Sequence, residues 1–591
     1  MAEVRLASDA WTRVGNATAR GLAFDADDRA VDPAEAFDGC DSPEAAADVA
    51  AQLSGFFAAI VRGSNADILV CDVARSIPLY FTTETPTAIG DVALELEPER
   101  PDAYDPTAAS EFALTRYVSC GETLRDDVKA VRAGEIVTIP RGSTAGFERS
   151  QYAEYRPMTA ADRGSTDSES IDREPTDCES TDRESSYPDS STREDLHDSL
   201  ASTMARVFDR VVRVADGRPV LVPLSGGWDS RLVAAELVAR DVEVVGFTFG
   251  AHGHGDVEVS RDIASALGID WEWVEYTTDR WHDWYHSPAR RRYHEYAFNL
   301  DSLPFLAEWP AVAELLERGD VPEDALVCPG HTVATPSERV PDAWVTAAEE
   351  GTRGDAPTTA DVVEHILDTH YSLWEWSDAD FRERFVDRIK AEAGLTTVRD
   401  ATEAVAAYER WEWATRMTTF TNGDCRLYEW FGFDWWLPLW DREYVEFWAS
   451  VPLAHRHKKA LQREYARKRV AEVGDDAAAV ADRTDRDWTP FDQVRRTLET
   501  RPEAIHTAQG DHTGTGFEAW LGTQAAADAA IESRGNYPLR WYGIYPAEAD
   551  ACFEPAKNLY ALRTLAALGL LAFDPPRSDV SLTESLPLPP V

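Results

Sequence analysis

The first 150 residues carry their apolar positions in short runs. Phe56–Val61 and Ile68–Asp72 predict two strands around the polar turn Arg62–Asp67. Ile77–Phe81 predicts a third strand and Gly134–Ile139 a closing one, while Glu111–Val118 has helical spacing. From residue 196 the pattern changes. Leu200, Met204, Val207, Phe208 and Val211 mark a helix, and Val220–Leu224 is a short, wholly apolar run. Ser225-Gly226-Gly227 breaks that run, after which Leu232, Val233, Leu237 and Val238 recur at helical spacing. Val242–Gly250, a helix over Val257–Leu267, Trp271–Tyr276 and Ala325–Cys328 continue the alternation. Strands alternating with helices predict an α/β fold with a doubly wound parallel sheet and ligands at the carboxyl ends of its strands. The remainder to about residue 572 is expected to be mainly helical, with Lys557–Arg563 its clearest amphipathic piece.

Between these regions the chain is almost devoid of apolar residues. Ser165–Glu174 and Pro175–Glu184 are two copies of an acidic, Ser/Thr-rich ten-residue repeat, followed by a decayed third. Such a segment buries too little surface to offset its ordering entropy, so a disordered linker is expected over 156–195. The expected organisation is a first domain at 1–155, that linker, a second domain at 196–572, and a Pro-rich tail at 573–591.

Composition narrows the classes. The net charge is −48, from 106 acidic and 58 basic residues. Only six of the basic residues are Lys, at 129, 390, 458, 459, 468 and 557. Dense carboxylates with scarce Lys predict adaptation to molar salt, where screening removes self-repulsion, and so a halophilic, archaeal source. The same charge argues against nucleic acid or an anionic membrane as partner. Seven Cys are scattered singly, which indicates neither a disulfide framework nor a zinc site. No signal-peptide core opens the chain, and Thr564–Phe573 is too short to span a bilayer, so a cytoplasmic protein is expected. A homo-oligomer is left open.

The candidate chemistry centres on Leu224-Ser225-Gly226-Gly227-Trp228-Asp229-Ser230. Strand, glycine turn and helix aim backbone N–H groups and a helix dipole at an anion. Ser225 and Ser230 add hydroxyl donors, and a carboxylate beside a phosphate cradle, Asp229, points to a bridging Mg²⁺. Phe249, at the end of the next strand, is a candidate for an adenine pocket.

The string Ser-Gly-Gly-x-Asp-Ser resembles the pyrophosphate loop of ATP-pyrophosphatases. Further motifs resemble the asparagine synthetases within that group. Asp72-x-x-Arg75-x-x-Pro78-Leu79-Tyr80 and Cys120-Gly-Glu-Thr-Leu with Val131–Gly134 resemble their glutaminase domain. Phe433–Asp441, Tyr444–Trp448, Val451-Pro452 and Lys458–Leu461 follow the synthetase order. The resemblance implies an Ntn-hydrolase-like αββα domain followed by a HUP-like ATP-pyrophosphatase domain with helical additions. It implies ATP and Mg²⁺, with Leu224, Ser225, Gly226, Gly227, Asp229, Ser230, Phe249 and Gly330 at the nucleotide and Asp229 on the metal. Lys458 takes the position of the charge-stabilising Lys, His331 that of a catalytic Glu, and Asp434 that of another Glu. The family's second metal-binding Asp falls on Ala334, and Glu338 is a candidate substitute from the same loop. Those glutaminases use an N-terminal Cys, which Met1-Ala2-Glu3 does not offer, so glutamine hydrolysis is not expected.

The implied activity is an AMP-forming, amide-forming ligase acting on a small carboxylate and an amine. The alternatives are a non-catalytic nucleotide-binding scaffold and another ATP-pyrophosphatase-type ligase.

Overall fold

Alternate side chains of Ser54–Arg62 and Ala66–Cys71 leave opposite faces of one sheet, as the pleat requires. Phe57, Ala59, Val61, Ile68 and Val70 pack with Ala46 and Ala50 of the Pro43–Gln52 helix. Ala58, Ile60, Leu69 and Cys71 pack instead with Phe81 and Ile89 of a second sheet. The far face of that second sheet, through Tyr80, Ala88, Val128 and Ala130, meets Ala108 and Phe112 of the Pro106–Thr115 helix. The first part of the chain is therefore layered helix, sheet, sheet, helix.

These contacts come from a computed structural model. It describes residues 2–474 except 84–86, 97–103, 142–145, 160–191, 251–254, 278–279, 281–282, 285–286, 352–355 and 372–378, together with residues 480 and 561. The repeats of the acidic segment, the stretch after residue 474 expected to be mainly helical (residues 480 and 561 apart, and including the piece expected over Lys557–Arg563), and the tail lie outside the described residues.

The strands are β1 (Glu3–Arg5), β2 (Thr12–Val14), β3 (Ala17–Phe24), β4 (Ala30–Val31), β5 (Ser54–Arg62), β6 (Ala66–Cys71), β7 (Tyr80–Thr82), β8 (Ala88–Gly90), β9 (Val128–Ala130), β10 (Glu135–Pro140) and β11 (Glu148–Gln151). They form sheets ordered β1-β8-β7-β9 and β11-β10-β6-β5-β3-β2, with β4 beside β3. All pairs are antiparallel except β1 with β8. The strand expected over Ile77–Phe81 is shorter, because Pro78 has no N–H to give a ladder.

The second part carries a five-stranded parallel sheet of β12 (Val220–Pro223), β13 (Val244–Gly250), β14 (Asp270–Glu275), β15 (Leu326–Val327) and β16 (Asp434–Trp435). Its order is β14-β13-β12-β15-β16, so the direction of winding reverses between β12 and β15. That reversal opens a crevice at the carboxyl ends of β12 and β15, the place where such sheets bind ligands. The helix Arg193–Ala215 precedes the sheet and starts inside the segment expected as linker. Thr192 and Asp195 form a capping box there, so the helix begins before the boundary that composition suggested.

One continuous core joins the two parts. Phe56 meets Trp436 edge-on, with ring centroids 4.5 Å apart. Buried Arg210 bridges Asp28 of the first part (2.6 Å) and Asp441 of the second (2.8 Å). Among the described residues no helix is long and apolar enough to cross a membrane.

Candidate functional site

The carboxyl end of β12 builds one wall of the crevice. Leu224 is buried; its N–H donates to the Phe247 carbonyl (2.8 Å) and its carbonyl accepts from Thr248 Oγ1 (2.6 Å). Its backbone is thus spent on the sheet. The loop then folds on itself: the Ser225 N–H donates to Ser230 Oγ and the Gly227 N–H to Ser225 Oγ, both at 3.1 Å. Gly227 caps the helix Trp228–Val238 without a side chain, so no capping oxygen stands before its first turn. A Cβ on Gly226 would fall 2.2 Å from Asp256 Oδ1, and one on Gly227 would meet only Ser225 Oγ, at 3.2 Å.

The turn after β15 forms the opposite wall. A Cβ on Gly330 would lie 2.6 Å from the Ser230 nitrogen and 2.9 Å from its Cα. Only glycine lets the two loops approach this closely. The contact carries His331 to the crevice, where its Nδ1 is buried with no hydrogen-bond partner. Burial, aided by Arg416, pulls its pKa down to about 4. The imidazole is therefore neutral at pH 7 and a weak base, which makes it a poorer proton acceptor than the catalytic Glu whose position it takes.

Asp229 sits in the first turn of the Trp228–Val238 helix, where the dipole favours a negative charge. Its Oδ2 accepts from Lys459 Nζ at 2.7 Å and its Oδ1 from Gln462 Nε2 at 2.6 Å. Lys459 also pairs with Glu338 at 3.0 Å. Burial pushes the Asp229 carboxyl up, with Lys459 opposing it and Glu338 reinforcing it. Burial pulls Lys459 down, but Asp229 and Glu338 outweigh it and hold the ammonium's pKa above the usual lysine value. Gln462 is itself held by the Thr332 hydroxyl (3.3 Å) and the Tyr444 hydroxyl.

Two expected residues stand elsewhere. Lys458 points out: its side chain is 53% exposed and pairs with exposed Asp342 at 2.8 Å. Lys459, 6% exposed, is the one the fold brings to Asp229. Both lysines have left-handed backbone, with φ of 52° and 56°, and that turn exchanges the two directions. Asp434 lies at the wrong end of the sheet. It is in register with Leu326, which is in register with Val220, five residues before Ser225 and so roughly 16 Å away along the strand. There it is exposed and pairs with Arg218 at 2.7 Å.

Phe249 lies at the carboxyl end of β13, half-buried and stacked on Tyr276 with ring centroids 5.2 Å apart. Residues the sequence did not single out complete the surroundings. Arg231 is buried, donates to the Gly226 carbonyl (2.8 Å) and lies over the Trp228 ring. Arg463 adds positive field at Asp229. Among the described residues there is no group of three or more His, Cys, Asp or Glu side chains that could hold a metal ion. The chain has no significant match to a protein-family model or to a curated protein.

Proposed function

We propose that the chain is an ATP-dependent, AMP-forming amide ligase of the asparagine-synthetase-like kind, acting on a small carboxylate and an amine. The observation that carries this reading is the convergence, at the switch point of the parallel sheet, of the Ser225–Ser230 loop with Asp229, Lys459 and Glu338. The uncapped helix start and the loop hydroxyls suit a pyrophosphate group. Phe249 suits the base. The sheet order supports a HUP-like domain, and the helix–sheet–sheet–helix layering supports an Ntn-hydrolase-like scaffold in the first part.

A divalent cation fits the donor set. Asp229 and Glu338 both reach one ammonium, and Mg²⁺ is commonly held by one or two carboxylates plus substrate phosphates. Bound there, Mg²⁺ would neutralise phosphate charge. Lys459 would add a fixed positive charge where negative charge develops as pyrophosphate leaves, and Gln462 would hold Asp229 in place. The weak basicity of His331 and the apolar Ala334 favour a second reading, a nucleotide-binding scaffold without chemistry.

Pyrophosphate release separates the two. The purified chain in molar KCl, given MgATP and a library of small carboxylates with ammonium or primary amines, should release pyrophosphate with at least one acid. MgATP binding without pyrophosphate release across the library supports the scaffold reading.

A further inference from the structure

One ammonium fills the gap between the two carboxylates that suit a divalent cation. Lys459 Nζ lies 2.7 Å from Asp229 Oδ2 and 3.0 Å from Glu338 Oε1. The other oxygen of Asp229 takes a hydrogen bond from Gln462 Nε2 at 2.6 Å. That amide is not free to turn. Its carbonyl accepts from the Thr332 hydroxyl (3.3 Å) and from the Tyr444 hydroxyl, and both Gln462 and Tyr444 are wholly buried. Each Asp229 oxygen therefore already has a donor.

Three elements hold the gap in place. Asp229 stands in the first turn of Trp228–Val238, Glu338 ends the short turn Thr335–Glu338, and Lys459 precedes the helix Ala460–Val473 with left-handed backbone. The next residue after Glu338, Arg339, is ion-paired with buried Glu412 and pins the turn from behind. The Lys459 side chain is 6% exposed, so the ammonium is sealed into the gap.

A divalent ion and this ammonium cannot share it. Mg²⁺ demands oxygens at about 2.0–2.1 Å in a near-octahedral array, and it gives up its waters reluctantly. Here the carboxylates are spaced for N–H···O contacts instead. For the ion to enter alone, Lys459 must leave both acids, and a buried charge stripped of its partners is strongly destabilised. A polyphosphate changes that balance. Beside Asp229 the Cβ direction of Gly227 is open, meeting only Ser225 Oγ at 3.2 Å. Phosphate oxygens placed there offer the ammonium new partners, and its flexible four-carbon stem lets it pass to them.

We infer that Lys459 gates the cation seat: in the free protein it stands in the place of the metal, excludes a divalent ion that arrives alone, and admits one that arrives bound to a polyphosphate. The gate rests on the reading of Asp229 and Glu338 as the cation's ligands, not on amide-forming chemistry. The ion then enters together with the nucleotide and never before it.

The test is an Mn²⁺ titration of the full chain in molar KCl without nucleotide, read by the electron paramagnetic resonance signal of the free ion. A triple variant, Lys459→Met with Asp229→Asn and Glu338→Gln, measures the background set by the acidic surface. Above that background, Lys459→Met, matched to the parent in circular dichroism, should bind one ion. The parent's affinity should lie at least about a hundredfold lower, the scale of a broken buried ion pair. Lys458→Met should behave as the parent, since its ammonium is on the surface. Equal Mn²⁺ binding by parent and Lys459→Met, or none above background by either, overturns the proposal. A measurement on the parent alone guards against a variant that does not fold: acylation of its lysines by an N-hydroxysuccinimide ester, followed by mass spectrometry. Lys459 should react slowly in chelator and equally slowly in Mn²⁺, whereas Lys458 reacts fast in both. Faster reaction of Lys459 in Mn²⁺ alone overturns the gate. MgATP titrated into the same samples reports separately on the nucleotide loop, so failure of one reading is not mistaken for failure of the other.

Discussion

Replacing Lys459 by Met keeps the length of the side chain and removes its charge. The ammonium stands 2.7 Å from Asp229 and 3.0 Å from Glu338 and is 6% exposed. At an effective dielectric of about 20, each attraction is worth roughly 4 kcal/mol for charges about 4 Å apart, before desolvation is subtracted. Removing one partner of a buried ionic group costs about 3–5 kcal/mol, because the remaining charge stays unpaired. Asp229 and Glu338 retain 22% and 25% exposure, so the lower end applies, about 3 kcal/mol. Lys458→Met removes an exposed pair instead and should cost no more than about 1 kcal/mol. Urea unfolding at pH 8 in molar KCl measures both. The parent gains this stabilisation fully below the ordinary lysine pKa of 10.5 and loses it only as pH rises through the elevated folded value. The parent is therefore insensitive to this group between pH 5 and 8. Burial already pushes the Asp229 carboxyl up and Lys459 opposes that, so without the ammonium Asp229 protonates more readily and the deficit of Lys459→Met should shrink at pH 5. Pyrophosphate formation should fall about a hundred- to a thousandfold in Lys459→Met and little in Lys458→Met. Equal losses from the two variants, or a larger one from Lys458, would refute the placement.

Other substitutions follow from the same geometry. Lys458→Gly removes a side chain from a left-handed residue at φ 52° and should raise the unfolding free energy by up to about 1 kcal/mol; a loss would show that the turn is unstrained. Gly330→Ala places a methyl 2.6 Å from the Ser230 nitrogen, so the loops must part; a stability loss of about 1–3 kcal/mol and weaker MgATP binding are expected, and neither change would mean the loops are independent. Burial raises the Glu308 carboxyl from 4.5 to about 7. A raised acid contributes stability at low pH that is lost as pH climbs through the folded value. Relative to the parent, Glu308→Gln should therefore gain up to about 3 kcal/mol between pH 4.5 and pH 8, and a pH-independent difference in urea midpoints would contradict it.

Four strands of the parallel sheet were legible, β12, β13 and β15 as short apolar runs and β14 by the alternation of Trp271 and Trp273, whereas the two-residue β16 lay inside a motif and was not expected as a strand. β2 and β3 were not: Thr12–Val14 is nearly all polar, and Ala17–Phe24 alternates Ala with Thr, Arg and Gly, so burial shows only once the sheet is assembled. The Ser225 loop was legible because its chemistry is local. Lys459 was not, since the choice between adjacent lysines depends on a left-handed turn that composition does not announce. Gln462 held a clue. A polar residue buried on the inner face of Ala460–Val473, three residues after Lys459, indicates which lysine faces inward. Asp434 was misplaced because its neighbours fit a motif while its strand registers with the wrong end of β12.

The central claim is that the Ser225–Ser230 loop holds the phosphates of ATP. Gly227→Val tests it most directly, because a side chain there meets only the Ser225 hydroxyl, at 3.2 Å, and otherwise projects into open space. Calorimetric titration of MgATP into parent and variant in molar KCl, with circular dichroism matched between them, gives the comparison. The account predicts saturable binding by the parent and none by the folded variant. Equal affinity in the two proteins would contradict it.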